Sequence, residues 1–399
     1  MDKILHGDSL ELLKDMEDNT IDSIVTDPPY GYSFMGKDWD KAVPSVELWE
    51  ECLRVLKPGG FAFIMSAPRA DVQSEMIKRL EQAGFRVDFT PIYWTYATGF
   101  PKAANMGKLV DKRLGVKGEV VGKKSCGYQV SISKTRKEQG YRPNETNATT
   151  EVDITIPSSD EAKALDGSYA GYQPKPAVEV VIVVMKPLAE GSFLNQAMKN
   201  GKGVTWLDDM RIPFKSDDIE SESPLGRFAA NLLVQNDVLN TEEDEFARYF
   251  DMDAWWEDRK QKLPANIKDT YPFMIVPKAS KSEKNKGCEE LNPKQKIFNG
   301  QSSEPSEDMK GVEKKFTTLP SNNFHPTVKP ISLMSYLVTM GSRENDLVLD
   351  PFVGSGTTCI AAKLLNRKYL GMELNDEYAV IAQERIKAHK KEKQEHSFF

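Results

Sequence analysis

Ile21-Asp22-Ser23-Ile24-Val25-Thr26-Asp27-Pro28-Pro29-Tyr30 and Leu347-Val348-Leu349-Asp350-Pro351-Phe352-Val353-Gly354-Ser355-Gly356-Thr357-Thr358 decide how this chain is read. Each begins as a short, mostly apolar run and breaks at an Asp-Pro step. Such runs suit strands covered on both faces in a parallel sheet. The first then turns on two prolines beside an aromatic ring, and the second turns on two glycines before a helix-like stretch. Ligands of open α/β sheets bind beyond the carboxyl ends of the strands, so both breaks fall where a site is expected.

Outward from these two segments the chain alternates strand and helix. Strands are predicted over 3–5, 21–26 and 61–66, with one or two more over 85–96. Helices are predicted over 9–16, 46–56 and 71–84, with breakers at Lys57-Pro58-Gly59-Gly60 and Gly84. The last seventy or so residues resume the rhythm, with helices over 330–340, 357–365 and 376–391 and strands over 347–349 and 368–373. The fold class expected is α/β, an open sheet with helices on both faces. The middle is less patterned. Val178 to Met185 reads as a strand, Asn236 to Lys262 as acidic and partly helical with Trp255 and Trp256, and Lys278 to Asn323 as polar and mostly loop.

Composition narrows the classes. The 399 residues carry a net charge of -7, so no global basic field points to a polyanionic partner. Gly99 to Arg142 nevertheless holds eleven Lys/Arg against three acids. Tyr96, Phe100, Tyr128 and Tyr141 accompany that stretch, which makes Lys102, Lys123, Lys124 and Arg136, with Lys278 further on, the candidates for phosphate contact. A solvated charged loop would show the same composition. The cysteines (Cys52, Cys126, Cys288 and Cys359) are scattered and form no ligand cluster with the histidines, so no metal is expected and the thiols read as reduced. No signal-peptide pattern and no apolar stretch of membrane-spanning length is seen, so a soluble, cytoplasmic protein is expected, with no membrane partner.

The chemistry of the two breaks is specific. Gly354 and Gly356 let the backbone turn and approach a ligand, and amides at the start of the following helix can meet a carboxylate. Glu373 ends the next predicted strand, where an acidic side chain pairs with ribose hydroxyls in nucleoside-binding units. Two glycines rather than three argue against a dinucleotide, and no Gly-Lys-Ser/Thr follows to make a phosphate loop. Asp27 can accept one N–H of a flat aryl amine and the Pro28 carbonyl the other, while Tyr30 offers a ring for stacking. A Pro-Cys pair, required to attack a pyrimidine ring carbon, is absent.

With these motifs the chain resembles the amino-methylating DNA methyltransferases, the adenine-N6 and cytosine-N4 group that uses S-adenosylmethionine. The resemblance extends to Gly7-Asp8-Ser9, Leu56 to Gly60, Gly99-Phe100-Pro101-Lys102, Pro277-Lys278-Ala279-Ser280, His325-Pro326-Thr327-Val328-Lys329-Pro330 and Gly371-Met372-Glu373. The catalytic motif precedes the cofactor motif, as in the beta class of that group. The resemblance implies a circularly permuted, Rossmann-like S-adenosylmethionine-dependent sheet with an inserted target-recognition region. Its divisions would be 1–120 (catalytic half), 121–320 (recognition insertion, retaining core elements such as 176–190) and 321–399 (cofactor half). It implies that Asp27, Pro28, Pro29 and Tyr30 serve the target base. Phe352, Gly354, Gly356 and Glu373 would hold the cofactor, with Asp350, Ser355, Thr357 and Asn375 beside them. Asp8 would lie near the cofactor's adenine, and Thr327 and Lys329 near its methionine end. The partner implied is double-stranded DNA, with a homodimer and a cognate restriction enzyme compatible with it. Asp rather than Ser at position 27 leans toward adenine. Cytosine N4, an RNA or protein amine, and a non-catalytic DNA-binding subunit stay open. The permutation has a physical reading: if the strand over 368–373 lies beside the strand over 3–5, the chain break falls between neighbours and the site is unchanged.

Overall fold

Strand β1 (Asp2–His6) pairs in parallel with β12 (Lys368–Glu373), from Asp2 opposite Tyr369 to His6 opposite Glu373. The first and last strands are therefore neighbours, as the permutation requires. The computed structural model describes residues 2–31, 42–95, 104–126, 150–170, 178–213, 226–228, 230–234, 255–257, 281–293, 297–299, 315–317 and 322–389.

Among the described residues the main sheet has eight strands in the order β1-β12-β11-β2-β3-β7-β4-β8. The remaining members are β2 (Ser23–Thr26), β3 (Phe61–Ser66), β4 (Ile92–Thr95), β7 (Val178–Met185), β8 (Leu232–Val234) and β11 (Leu347–Asp350). Only β7 runs antiparallel to its neighbours in this sheet. The strand following β11 in sequence lies to one side of it, and β3 lies on the far side of β2. The order thus reverses between β11 and β2, and the carboxyl ends of these two strands mark the edge where sheets of this kind form their ligand crevice. Both motif breaks sit there.

Helices cover both faces. On one side α1 (Ser9–Lys14), α2 (Val46–Val55) and α3 (Ala70–Gln82) bury Leu13, Trp49, Cys52, Met76 and Leu80 against Ile24, Ile64 and Leu349. Each fully buried aliphatic side chain contributes roughly 1.5–3 kcal/mol. Trp49 is 0 % exposed and meets the Phe352 ring edge-on at 6.3 Å, so it joins the core to the glycine turn. Trp49→Ala should lower the free energy of unfolding by about 3–5 kcal/mol, read as a shift of the urea midpoint.

The other face carries α8 (Ile331–Gly341), α9 (Thr357–Leu364) and α10 (Asp376–Ala388). Every residue of α8 is buried, the condition of a helix apolar all round. It is covered on its outer side by Trp255, 1 % exposed, whose ring meets Tyr336 edge-on at 4.9 Å. The stretch expected to be acidic and partly helical thus contributes aromatic core at 255–257; the rest of 236–262 lies outside the described residues.

Contacts divide the chain differently from the insertion expected over 121–320. One unit comprises residues 1–98 and 177–399, and a second comprises 99–176. The second contains α4 (Met106–Arg113), the antiparallel pair β5 (Glu119–Cys126) and β6 (Thr150–Ile156), and α5 (Asp160–Ala164). Asp111 organises it by accepting from Ser158 N, Ser159 N and Ser159 Oγ at 2.8, 3.0 and 2.6 Å. The main unit also holds α6 (Phe193–Asn200), α7 (Lys281–Asn285) and a two-stranded antiparallel sheet of β9 (Ile297–Asn299) and β10 (Lys315–Thr317). The polar stretch over 278–323 is therefore not loop throughout. Over 85–96 one strand forms, β4, and Arg86 adds only an isolated bridge to Met185.

Candidate active site at the switch point

Thr26 Oγ1 donates to Asp350 Oδ1 at 2.6 Å. This single bond joins the last residues of β2 and β11, 324 positions apart in sequence. Asp350 also accepts from Phe352 N at 3.1 Å and from the Thr358 hydroxyl. It is 3 % exposed, so it shapes the turn from beneath and does not line the crevice. Burial pushes its carboxyl up to about 6, against the pull of those hydrogen bonds.

A raised carboxyl has a defined consequence for stability. Between pH 3.8 and about 6 the folded state keeps a proton that the unfolded state has lost, so stability falls as pH rises through this window. Asp350→Asn removes the term. The variant's free energy of unfolding, relative to wild type, should rise by about 3 kcal/mol at most from pH 4 to pH 6.5, measured by urea denaturation at each pH.

Asp27 follows directly on β2. Its Oδ1 accepts from Tyr30 Oη at 2.5 Å and its Oδ2 from Lys329 Nζ at 2.5 Å. Pro28 is buried and Pro29 and Tyr30 are half-buried. The Lys329 ammonium also lies 3.3 Å from Glu179 Oε2 and 5.8 Å from the centre of the Tyr30 ring. Burial alone would depress the Lys329 pKa, but Asp27 and Glu179 outweigh it and hold the group protonated well above the ordinary lysine value. Lys329, expected at the methionine end of a cofactor, is bonded to the Asp27 carboxylate. Thr327 is exposed.

The glycine turn lies one strand over. Gly354 and Gly356 have φ of +51° and +84°, a region open to glycine at little cost. A Cβ on Gly354 would stand 2.7 Å from His325 Nε2, and one on Gly356 would stand 3.1 Å from Ala382 Cα. Glu373, at the end of β12, accepts from Gly354 N at 2.8 Å and from Asn375 N at 2.9 Å. Burial raises its carboxyl above the usual range, offset in part by those amides. Asn375 caps α10 through a bond from Tyr378 N at 3.1 Å. Asp8 caps α1, accepting from Leu10 N at 2.9 Å and Glu11 N at 3.3 Å, and remains exposed.

Arg385, fully buried on α10, was not singled out from sequence. Its Nη1 donates to Ser355 O at 2.5 Å, Ser355 Oγ at 3.0 Å and Thr357 Oγ1 at 3.2 Å, so both residues are gripped from behind the turn. Glu283 was missed too. Its Oε1 accepts from Ile331 N at 2.8 Å and so caps α8 directly after Lys329-Pro330. Neither role has a local signal, because each side chain acts on a segment far away in sequence.

Of the candidates for phosphate contact, Lys123 is exposed on β5 of the second unit. Lys124 lies on the same strand. Lys102, Arg136 and Lys278 lie outside the described residues, as do Tyr96, Phe100, Tyr128 and Tyr141. Among the described residues no group of His, Cys, Asp and Glu could hold a metal ion, and no helix is long and apolar enough to cross a membrane.

A mostly parallel sheet whose order reverses between β11 and β2, with a glycine turn on one strand end and Asp-Pro-Pro-Tyr on the next, is a Rossmann-like α/β architecture with its switch point at those strand ends. More narrowly, the chain belongs to the DNA methylase family of N6 and N4 enzymes, whose model matches residues 21–384. Over 62 residues it is 47 % identical to the type II methyltransferase M2.LlaDCHI of Lactococcus lactis subsp. cremoris, a stretch that is 16 % of this chain and 23 % of that one. Over 62 residues it is 48 % identical to the type II methyltransferase M.HpaI of Haemophilus parainfluenzae, covering 16 % of this chain and 20 % of that one. The matched stretches therefore span less than a quarter of these relatives. Among solved structures, the cytosine-N4-specific PvuII DNA methyltransferase aligns over 96 % of this chain and 86 % of its own, with 15 % identity and a TM-score of 0.42.

Proposed function

We propose that this protein transfers a methyl group from S-adenosylmethionine to adenine N6 in double-stranded DNA. The observation that carries the reading is the Thr26–Asp350 bond, which sets the catalytic carboxylate and the glycine turn on adjacent strand ends.

The residues at the turn fit the cofactor. The turn carries no side chain at Gly354 or Gly356, both held at positive φ, and α9 begins there with no side-chain cap. Glu373 has two lone-pair positions in use by amides out of about four on a carboxylate, so it can still accept from ribose hydroxyls. When bound, S-adenosylmethionine supplies an electrophilic methyl group on a sulfonium. At Asp27, one N–H of the flipped base's amine would be accepted by the carboxylate and the other by the Pro28 carbonyl. That pairing favours a pyramidal nitrogen and draws its lone pair out of conjugation with the ring, toward the methyl group. Tyr30 would stack on the extruded base, offsetting an unstacking cost of a few kcal/mol. Positioning of this kind contributes up to roughly 7–11 kcal/mol to a bimolecular step.

The test is methyl incorporation from labelled S-adenosylmethionine into DNA free of base methylation, followed by nucleoside analysis. N6-methyladenine is the expected product. N4-methylcytosine would replace the adenine assignment, and transfer only to RNA or protein would overturn the DNA assignment. The exposed Lys123 and its neighbours on the second unit are proposed to meet DNA phosphates. A cytoplasmic location, a homodimer and a cognate restriction enzyme complete the proposal, the second tested by sedimentation.

A further inference from the structure

Strand β7 runs against its neighbours, so its beginning, not its end, lies at the edge where the other strands finish. Val180 pairs with Ser66 at the end of β3, and Val178 with Thr95 at the end of β4. Glu179 is thereby delivered to the crevice edge from a strand that, read by the usual rule, would be searched at its other end. It shares a strand face with Val181 and Val183, which join the core beneath α8. Its side chain is only 14 % exposed, and Oε2 lies 3.3 Å from Lys329 Nζ with no aligned hydrogen-bond donor among the described residues.

One ammonium is therefore shared by two carboxylates. Lys329 is 11 % exposed and Asp27 18 %, so the three charges are poorly screened. The two contacts are unequal: 2.5 Å to Asp27 and 3.3 Å to Glu179. In this arrangement both Asp27 oxygens are engaged, one by Lys329 and the other by Tyr30 Oη. An amine arriving at Asp27 Oδ2 meets an oxygen whose charge is already engaged by a buried ammonium, which leaves it a weaker acceptor for a second donor. The cation cannot return to water cheaply, and it needs a second anion within reach.

We propose that Glu179 is a positioning residue that takes Lys329 from Asp27 when the target base enters, freeing Asp27 Oδ2 to accept the amine N–H. The movement is a short one, since the ammonium already touches both carboxylates. The triad keeps its net charge of minus one throughout, and the carboxylate that Lys329 leaves is still hydrogen-bonded by Tyr30 Oη and by the incoming amine. The inference deepens the methyl-transfer reading and rests on it.

Single-turnover methylation with Glu179→Gln, Glu179→Asp and the double variant Lys329→Met/Glu179→Gln tests it. With Gln at 179 the ammonium has no second anion and stays on Asp27. The rate constant should fall about tenfold or more, while affinities for DNA and S-adenosylmethionine stay within about twofold. Glu179→Asp should recover part of the rate. Removing the lysine as well abolishes the competition, so the double variant should be at least about fivefold faster than Glu179→Gln, a sign of coupling that separate structural damage does not give. Wild-type rates in Glu179→Gln, or a double variant no faster than the single, would overturn the inference alone. Absence of DNA labelling by the wild-type protein would overturn the methyl-transfer reading and the inference with it.

Discussion

Asp27→Ala should leave S-adenosylmethionine affinity within about threefold of wild type and slow methyl transfer by about a thousandfold or more, the range of a lost acid–base or charge-stabilising group. The separation of the two effects follows from the geometry. Asp27 belongs to the end of β2, whereas the glycine turn and Glu373 belong to β11 and β12. The tie between the halves is Thr26 to Asp350, which the substitution leaves in place. Lys329 also retains a counter-ion in Glu179, so no buried cation is stranded. The chemical loss is specific: without a carboxylate the amine keeps its lone pair in the ring, and only the Pro28 carbonyl remains as acceptor. Asp27→Asn retains an acceptor oxygen without the charge and should fall between the two. Single-turnover methylation with calorimetric titration of the cofactor checks both halves. Undiminished turnover in Asp27→Ala would remove Asp27 from the mechanism.

What could be read from sequence follows the range over which each residue acts. Val178 to Met185 and Lys368 to Glu373 are predicted with the ends the structure gives them, because short, mostly apolar runs flanked by polar or turn-forming residues read clearly as strands. The adjacency of β1 and β12 was deducible from motif order alone and holds residue for residue. Asp27, Tyr30, Gly354 and Glu373 announced themselves through short motifs next to strand ends. Glu179 did not, since nothing local says that β7 is antiparallel, and only that reversal turns its first residues toward the crevice. Arg385 sits in a helix whose charges look like a solvated face, yet it is 0 % exposed and bonded to residues thirty and twenty-eight positions away. Lys329 was found by its motif but assigned to the cofactor; its partner lies 302 positions away. The expected limits of 121–320 follow weak patterning, which extends well beyond the contact-defined unit of 99–176 into segments that join the core of the main unit, Trp255 among them.

The cofactor half yields the second large effect. Glu373→Ala should raise the dissociation constant of S-adenosylmethionine by about a hundredfold, two charge-assisted hydrogen bonds at roughly 1.5 kcal/mol each. The same carboxylate fixes the turn, since Gly354 N and Asn375 N both donate to it. Glu373→Gln keeps one acceptor oxygen but turns an amide N–H₂ toward one of those donors, so it should lose affinity by an intermediate factor. Adenosine alone separates ribose contact from contact with the amino-acid end of the cofactor. If Glu373 holds the ribose, its removal weakens adenosine and S-adenosylmethionine by similar factors. The pH dependence has a defined sign. Burial holds the Glu373 carboxyl above the ordinary glutamate range, and the ionised form is the better acceptor for hydroxyl donors. Cofactor affinity should therefore weaken on acidification at a higher pH than an exposed glutamate would dictate, and this limb should vanish in Glu373→Gln. Calorimetric titration across pH reads it directly; an identical limb in the variant would assign the titration to another group.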